Sequence, residues 1–354
     1  MTKVVVAMSG GVDSSVAAAL LKQQGCDVTG MMLRLWSETG KEDSNRCCTP
    51  DAMALARRVA AILEIPFYVI NAKEVFKETV VQYFLDGYAR GETPNPCLIC
   101  NRQIRWKFLL EHALAFGADF MATGHYVRIK NDEKGRKQLL RAVDHSKDQS
   151  YVLHVLNQEK LRKALFPIGD YPKPEIRKIA ESFGLPTATR RDSQDLCFLA
   201  GDDYRNFLQR NAGELYNPGQ IVTSKGEVLG EHTGLVNYTI GQRKGLSVAS
   251  TVPLYVLSKN VSTNTLVVGE QTELGLRELI ARDVNWVSGE QLNESFRAEV
   301  KIRYTAKEAG AQVTPIETGS RVQIRFDTPQ RDITAGQAAV FYQGEVLVGG
   351  GIIQ

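Results

Sequence analysis

Short apolar runs alternate with amphipathic stretches from the N-terminus to about Gly201, the signature of a parallel α/β sheet. Val4-Val5-Val6 reads as a first strand, and Val16-Ala17-Ala18-Ala19-Leu20-Leu21 as a strong helix former that ends at a C′ glycine, Gly25. Val28 to Leu35 reads as the second strand, Ala52 to Leu63 as a helix, and Phe67-Tyr68-Val69-Ile70 as the third strand. Phe76, Val80, Phe84 and Tyr88 recur on one helical face and belong to the core. Phe120-Met121-Ala122-Thr123 is the fourth strand, and a hairpin joins Val127–Lys130 to Leu139–Ala142. Tyr151 to Leu165 and Pro174 to Phe183 are expected to be helices. Ser37 to Pro50 lacks periodicity and reads as a loop.

Beyond Gly201 the helical signal fades. Short alternating segments near Gly219–Leu229 and Thr239–Leu246 suggest a small, mostly β middle domain. From Glu278 onward polar and apolar residues alternate at period two, as in Arg297–Tyr304 and Arg321–Phe326. That pattern fits a small antiparallel barrel with one wet face. The expected division is residues 1–200, 201–275 and 276–354, a chain of 354 residues being too long for one ordinary domain.

Composition changes this picture little. A hydrophobic content of 43% with 23% charge is that of a soluble globular chain, and since the sequence opens directly into a strand pattern with no long apolar run, neither a leader nor a membrane span is expected. A cytoplasmic protein is the expectation. The net charge of +3 allows a nucleic-acid partner without arguing for one. The six cysteines, Cys26, Cys47, Cys48, Cys97, Cys100 and Cys197, do not read as a disulfide framework. Cys26 reads as core filler, and Cys47 and Cys48 fall in the polar loop.

Chemistry concentrates first at Ala7-Met8-Ser9-Gly10-Gly11-Val12-Asp13-Ser14-Ser15. A strand feeds a Ser-Gly-Gly turn that opens into a helix, so the first helical N–H groups face the turn and favour an anion. No lysine follows the turn, which excludes a Walker A loop, and the spacing is not that of a dinucleotide fingerprint. Pro94-Asn95-Pro96-Cys97-Leu98-Ile99-Cys100-Asn101 forms an extended turn, with Asn101 the expected N-cap of a basic helix beginning Arg102-Gln103-Ile104-Arg105-Trp106-Lys107. A helix N-terminus with Arg102 and Arg105 nearby favours a reactive thiol at Cys100, and Arg190 and Arg191 precede Cys197. His125 follows the end of the fourth strand, where open α/β sheets bind ligands.

The first turn resembles the PP-loop of the ATP pyrophosphatases. With Thr93-Pro94-Asn95-Pro96-x-x-x-Cys100-Asn101, Ala122-Thr123-Gly124-His125-Tyr126, Lys147-Asp148-Gln149-Ser150-Tyr151, Asp192-Ser193-x-x-x-Cys197-Phe198, Gly241-Gln242-Arg243-Lys244-Gly245-Leu246, Gly336-Gln337-x-Ala339-Val340-Phe341-Tyr342 and Gly349-Gly350-Gly351-Ile352-Ile353, the chain resembles the tRNA-specific 2-thiouridylases along essentially its whole length. The resemblance implies adenylation of the 2-oxygen of a wobble uridine by ATP with Mg2+, followed by sulfur attack. It implies that Cys197 carries a persulfide from a cysteine desulfurase relay and that Cys100 is the partner thiol, the two closing a transient disulfide. It places Leu33 and Gly124 with the PP-loop at the nucleotide. It places Asn95, Pro96, Cys97, His125, Lys147, Asp148, Gln149, Arg303, Tyr304 and Gln337 at the tRNA.

Many family members carry Asp where this chain has Cys97, which leaves the role of that position open. Three thiolates, Cys97, Cys100 and Cys197, also match the count for a [4Fe–4S] cluster with one open iron, an alternative sulfur route. Two rivals outside sulfur transfer are weaker. An amine-forming PP-loop ligase needs an ammonia source for which the chain has no room, and a nucleotide sensor needs neither Cys100 nor Cys197.

Overall fold

The computed structural model describes residues 1–41, 49–190, 196–199 and 201–354. Most of the expected Ser37–Pro50 loop, with Cys47 and Cys48, lies outside the described residues, as do Arg191, Asp192 and Ser193.

Strands β1 (Lys3–Ala7), β2 (Asp27–Arg34), β3 (Phe67–Asn71), β4 (Phe120–Thr123) and β7 (Ala164–Leu165) form a parallel sheet in the order β3-β2-β1-β4-β7. The chain steps outward from β1 to β3 on one side and then returns to place β4 on the other. The topological switch point therefore falls between β1 and β4, where a crevice opens at the strands' carboxyl ends. Helix α1 (Val12–Gln23) buries Val16, Ala17, Ala18 and Ala19 completely against one face of this sheet. Its alanines allow the close approach that a helix on a sheet needs. Helix α2 (Pro50–Ile62) is capped by Thr49, whose side chain accepts from Ala52 N at 3.0 Å.

Strands β5 (Val127–Asn131) and β6 (Lys137–Arg141) form the expected hairpin, with Asp132 Oδ1 accepting from the backbone N of Lys134 and Arg136 at 2.9 and 2.8 Å. The hairpin leaves the parallel sheet and pairs with the last strand of the chain through Leu139 and Leu140. The expected helix from Tyr151 to Leu165 does not form as one piece. Helical turns Ser150–Leu153 and Gln158–Leu161 are separated, and β7 follows. Two captures end the first turn: Asn285 Nδ2 donates to the carbonyls of His154 and Leu156 at 2.6 and 2.8 Å, and Asn157 caps the second turn by accepting from Lys160 N.

The middle region contains a helix, Tyr204–Asn211, that the fading pattern did not announce; Asp203 caps it. Strands β8 (Gly219–Thr223), β9 (Val228–His232), β10 (Tyr255–Asn260) and β11 (Thr265–Gly269) make a small sheet. Segment Thr239–Leu246 is turn rather than strand. The C-terminal strands β12 (Leu276–Trp286), β13 (Phe296–Lys301), β14 (Ala309–Ile316), β15 (Arg321–Gln330), β16 (Ala338–Gln343) and β17 (Val346–Ile353) pair antiparallel, and β12 with β17 closes them into a six-stranded barrel. Val300, Val313, Ile324, Phe326 and Phe341 fill it.

Candidate active site

Residues Ser9–Ser14 turn from β1 into α1. Gly10 has φ +72°, and a Cβ there would stand 2.4 Å from the Ala52 carbonyl oxygen. Gly11 does not need a positive φ: it is the N-cap of α1 at φ −86°, without a side-chain cap. The first-turn N–H groups of α1 are thus left for a ligand. Ser14 Oγ accepts from Ser9 N at 3.2 Å and donates to Gly11 O, while Ser15 Oγ donates to Gly11 O at 2.8 Å, so the hydroxyls brace the turn. Gly124 passes directly over this turn. A Cβ on it would lie 2.6 Å from Ser14 N.

Lys173 supplies a cation to this loop from far along the chain. Its Nζ lies 2.8 Å from both carboxylate oxygens of Asp13, and Tyr126 Oη donates to Asp13 Oδ1 at 2.7 Å. Arg190 Nη1 donates to Gly10 O at 2.7 Å. Sequence reasoning missed Lys173, gave Tyr126 no role beyond its place in the Ala122–Tyr126 motif, and read Arg190 only beside Cys197. Their separation from the loop in sequence hides them, although the missing lysine after the Gly-Gly turn was itself a signal that a cation had to come from elsewhere. These groups border a cleft of about 630 Å³ at the switch point, which also includes Ala7, Met8, Leu33, Cys100, Arg105 and His125.

Cys100 reaches the cleft from a helix that starts earlier than expected. Asn95, not Asn101, is the N-cap: its Oδ1 accepts from Cys97 N at 3.1 Å, and Pro96 takes the first helical position. Asn101 lies inside the helix, buried, with Nδ2 donating to Cys97 O at 3.0 Å. The helix runs through Pro96–Ile99, a π-helical segment Cys100–Leu109 and Leu110–Ala115. Cys97, exposed, sits in the first turn and takes the helix-end field that the sequence assigned to Cys100.

His125 is buried. Arg105 Nη1 lies 3.2 Å from its Nε2 and Thr123 Oγ1 2.7 Å from its Nδ1. A guanidinium only donates, so Nε2 is the acceptor and Nδ1 carries the proton given to Thr123. Burial first, and the positive Arg105 second, hold this imidazole well below its ordinary pKa, and it is neutral.

The remaining expected residues divide. Lys147, Gln149 and Tyr304 border the cleft, and Gln149 Oε1 accepts from Tyr126 N at 3.0 Å. Asp148 is buried, accepting from Ala142 N at 3.0 Å and Ser150 Oγ at 2.6 Å. Arg303 Nη2 donates to Ile240 O at 3.2 Å and to Thr334 Oγ1, joining the middle region to the barrel. Gln337 Nε2 donates to Thr93 O at 2.6 Å, bracing the turn before Asn95.

Cys100 and Cys197 pack against one buried cluster that includes Phe76, Phe84, Phe198 and Phe207. Cys197 opens a short helical turn ending at Leu199 and does not border the cleft. Among the described residues no three His, Cys, Asp or Glu side chains gather where they could hold a metal ion. No helix among the described residues is long and apolar enough to cross a membrane.

A phosphate-binding first turn at the switch point of a parallel sheet, faced by a cysteine-bearing helix and joined to two β units, defines an ATP-using enzyme of the PP-loop class. Three family models cover the chain: "tRNA methyl transferase HUP domain" over residues 2–201, "tRNA methyl transferase PRC-barrel domain" over 205–270 and "Aminomethyltransferase beta-barrel domain" over 276–353. The chain belongs to the tRNA-specific 2-thiouridylase family. It is 46% identical to the tRNA-specific 2-thiouridylase MnmA of Acetivibrio thermocellus over 99% of both chains, and 48% identical to that of Moorella thermoacetica over 99% of this chain and 98% of the relative. A solved structure of the U34-tRNA thiolase NcsA from Methanococcus maripaludis, with its [4Fe-4S] cluster, is similar at 21% identity and TM-score 0.36, covering 59% of this chain and 67% of that one.

Proposed function

We propose that the chain is a tRNA-uridine 2-sulfurtransferase that spends ATP to thiolate the wobble uridine. The observation that carries this reading is that the PP-loop and Cys100 border one cleft. The C2 carbonyl oxygen of the uracil attacks the α-phosphorus of ATP, the α–β bridge breaks, and pyrophosphate leaves with the electron pair toward the first turn of α1. The terminal sulfur of a Cys197 persulfide then attacks C2, the C2–O bond breaks, and AMP departs with the pair. Thiolate Cys100 attacks the Sγ of Cys197, cleaving the S–S bond. The thiocarbonyl is released and a Cys100–Cys197 disulfide remains for an external dithiol to reduce. A cysteine desulfurase relay recharges Cys197.

Asp13 is the one carboxylate on the cleft wall among the described residues, and both its oxygens are engaged by Lys173 and Tyr126. Mg2+ therefore fits as the ion of Mg-ATP, held through phosphate oxygens rather than in a protein cage. The RNA lies across Lys147 and Tyr304 at the cleft, with Arg102 and Lys107 of the Cys100 helix as further phosphate contacts. Incubation with ATP, magnesium, a persulfide donor and bulk tRNA, followed by nucleoside mass spectrometry, should yield 2-thiouridine and RNA-dependent pyrophosphate. Pyrophosphate release independent of RNA, or absence of thiolated nucleoside, refutes the reading.

A further inference from the structure

Arg105 and Cys100 belong to a helical segment whose geometry decides which way they face. Four residues of the π-helical stretch border the cleft: Cys100, Ile104, Arg105 and Leu109. At the 100° per residue of an α-helix these positions would spread over about 180° of the circumference. The wider turn of i→i+5 bonding, about 4.4 residues, gathers them within about 80°. The π register thus turns Arg105 onto the same face as Cys100.

His125 then fixes that arginine. Its Nε2 accepts from Arg105 Nη1, and its Nδ1 proton is committed to Thr123 Oγ1. The ring is buried and neutral, with neither nitrogen presenting a proton to the cleft, so it serves as an acceptor and not as an acid. The other cations on the cleft wall are Lys147, given to the RNA in the reading above, and Lys173 and Arg190, which respectively pair with Asp13 and donate to Gly10 O at the loop end where pyrophosphate leaves. Arg105 stands at the Cys100 end.

We propose that Arg105 is the cleft's ligand for the α-phosphate, turned in by the π-helix, and that His125 is its positioning residue. The α-phosphate accepts the uracil oxygen in the first step and leaves with it as AMP in the second, and a guanidinium fork can follow it through both. The inference rests on the thiolation reading for its role in turnover, but not for its binding test.

The binding test compares AMP and adenosine affinity by calorimetry in wild type and Arg105→Met. AMP should bind about tenfold or more weakly in the variant, the loss of one charge-assisted hydrogen bond, while adenosine binding stays unchanged. Equal losses for AMP and adenosine, or none for either, overturn the assignment. Single-turnover pyrophosphate release then tests His125. Arg105→Met should slow it about 100-fold. His125→Gln, whose Oε1 can accept from Arg105 as Nε2 does, should remain far closer to wild type than His125→Ala. If His125→Gln is as slow as His125→Ala while both keep the wild-type melting temperature, the ring's own proton chemistry is required and the positioning role is wrong. Failure of wild type to thiolate tRNA would refute the functional reading alone, since the AMP comparison stands without it.

Discussion

Replacing Lys173 by Met removes a buried ammonium held at 2.8 Å from both oxygens of Asp13 and leaves that carboxylate with Tyr126 as its remaining donor in this network. Lys173 is only 7% exposed, but the Asp13 side chain is 30% exposed, so the pair is neither a surface bridge nor a fully buried one. An exposed pair contributes about 0–1 kcal/mol and breaking a buried one costs about 3–5 kcal/mol, so a stability loss of about 1–2 kcal/mol is expected. The larger effect is on the ligand. An uncompensated carboxylate about 5 Å from a phosphate charge costs about 1–3 kcal/mol at effective dielectric constants between those of protein and water. ATP affinity should fall about 5- to 150-fold. Asp13→Asn in the Lys173→Met background removes the stranded charge and should recover part of that loss, and the double-mutant cycle isolates the coupling. ATP binding by calorimetry and pyrophosphate release measure both. Wild-type ATP affinity in Lys173→Met, or no recovery in the double variant, would refute the argument that Lys173 neutralises the loop for an incoming triphosphate.

Gly124→Ala drives a Cβ to 2.6 Å from Ser14 N, so the strand end must lift off the α1 N-terminus; a stability loss of about 1–3 kcal/mol and a marked loss of ATP affinity should appear in melting and calorimetry. His154 is buried with a pKa of about 4, lowered first by burial and held below the unfolded value near 6.5. Its contribution is fully present above the unfolded pKa and is lost as pH falls toward the folded one, so urea unfolding should show a decline of about 3 kcal/mol from pH 6.5 to 4 that His154→Asn flattens. Arg102, Lys107 and Lys147 are expected to meet RNA phosphates, so tRNA affinity should fall steeply with salt and the log–log slope should shrink by about one for each of these changed to Gln; a salt-insensitive affinity contradicts this contact set.

The strands of the parallel sheet and barrel were legible because their periodicity is local: β-branched runs in one, strict alternation in the other. The PP-loop was legible for the same reason, since its turn, cap and helix are consecutive. The pattern was misleading where a distant group decides the outcome. Asn285 ends the helix that Tyr151–Leu165 seemed to promise, and Asn95 displaces Asn101 as a cap because Pro96 suits the first helical position. The π register is equally invisible to a 3.6-residue reading, yet it sets the direction of Arg105. Within the site, the residues adjacent to a motif were found, while Lys173 and Tyr126 reach Asp13 from 160 and 113 positions away.

The barrel also enters the site in a way its composition does not suggest. Thr93 N donates to Ala335 O at 2.8 Å and Gln337 donates to Thr93 O, so two bonds clamp one residue just ahead of the Asn95 cap. Gly336 allows this approach, since a Cβ there would lie 3.1 Å from Thr93 backbone. Arg282 of β12 adds an ion pair to Glu92 at 3.1 Å, and Tyr151 Oη donates to Ala338 O on β16. Ser150 in turn links Asp148 to Tyr342 of the same strand. Both segments that flank the Cys100 helix start are therefore fixed to β16 and its preceding turn. Displacement of that turn would move Asn95 and the helix it caps together, because the Thr93 N–Ala335 O backbone bond and the Gln337 side chain hold the segment just ahead of the cap. The barrel is thus joined through this turn to the helix that carries Cys100, and the small parallel sheet gains a fixed frame beside its cleft.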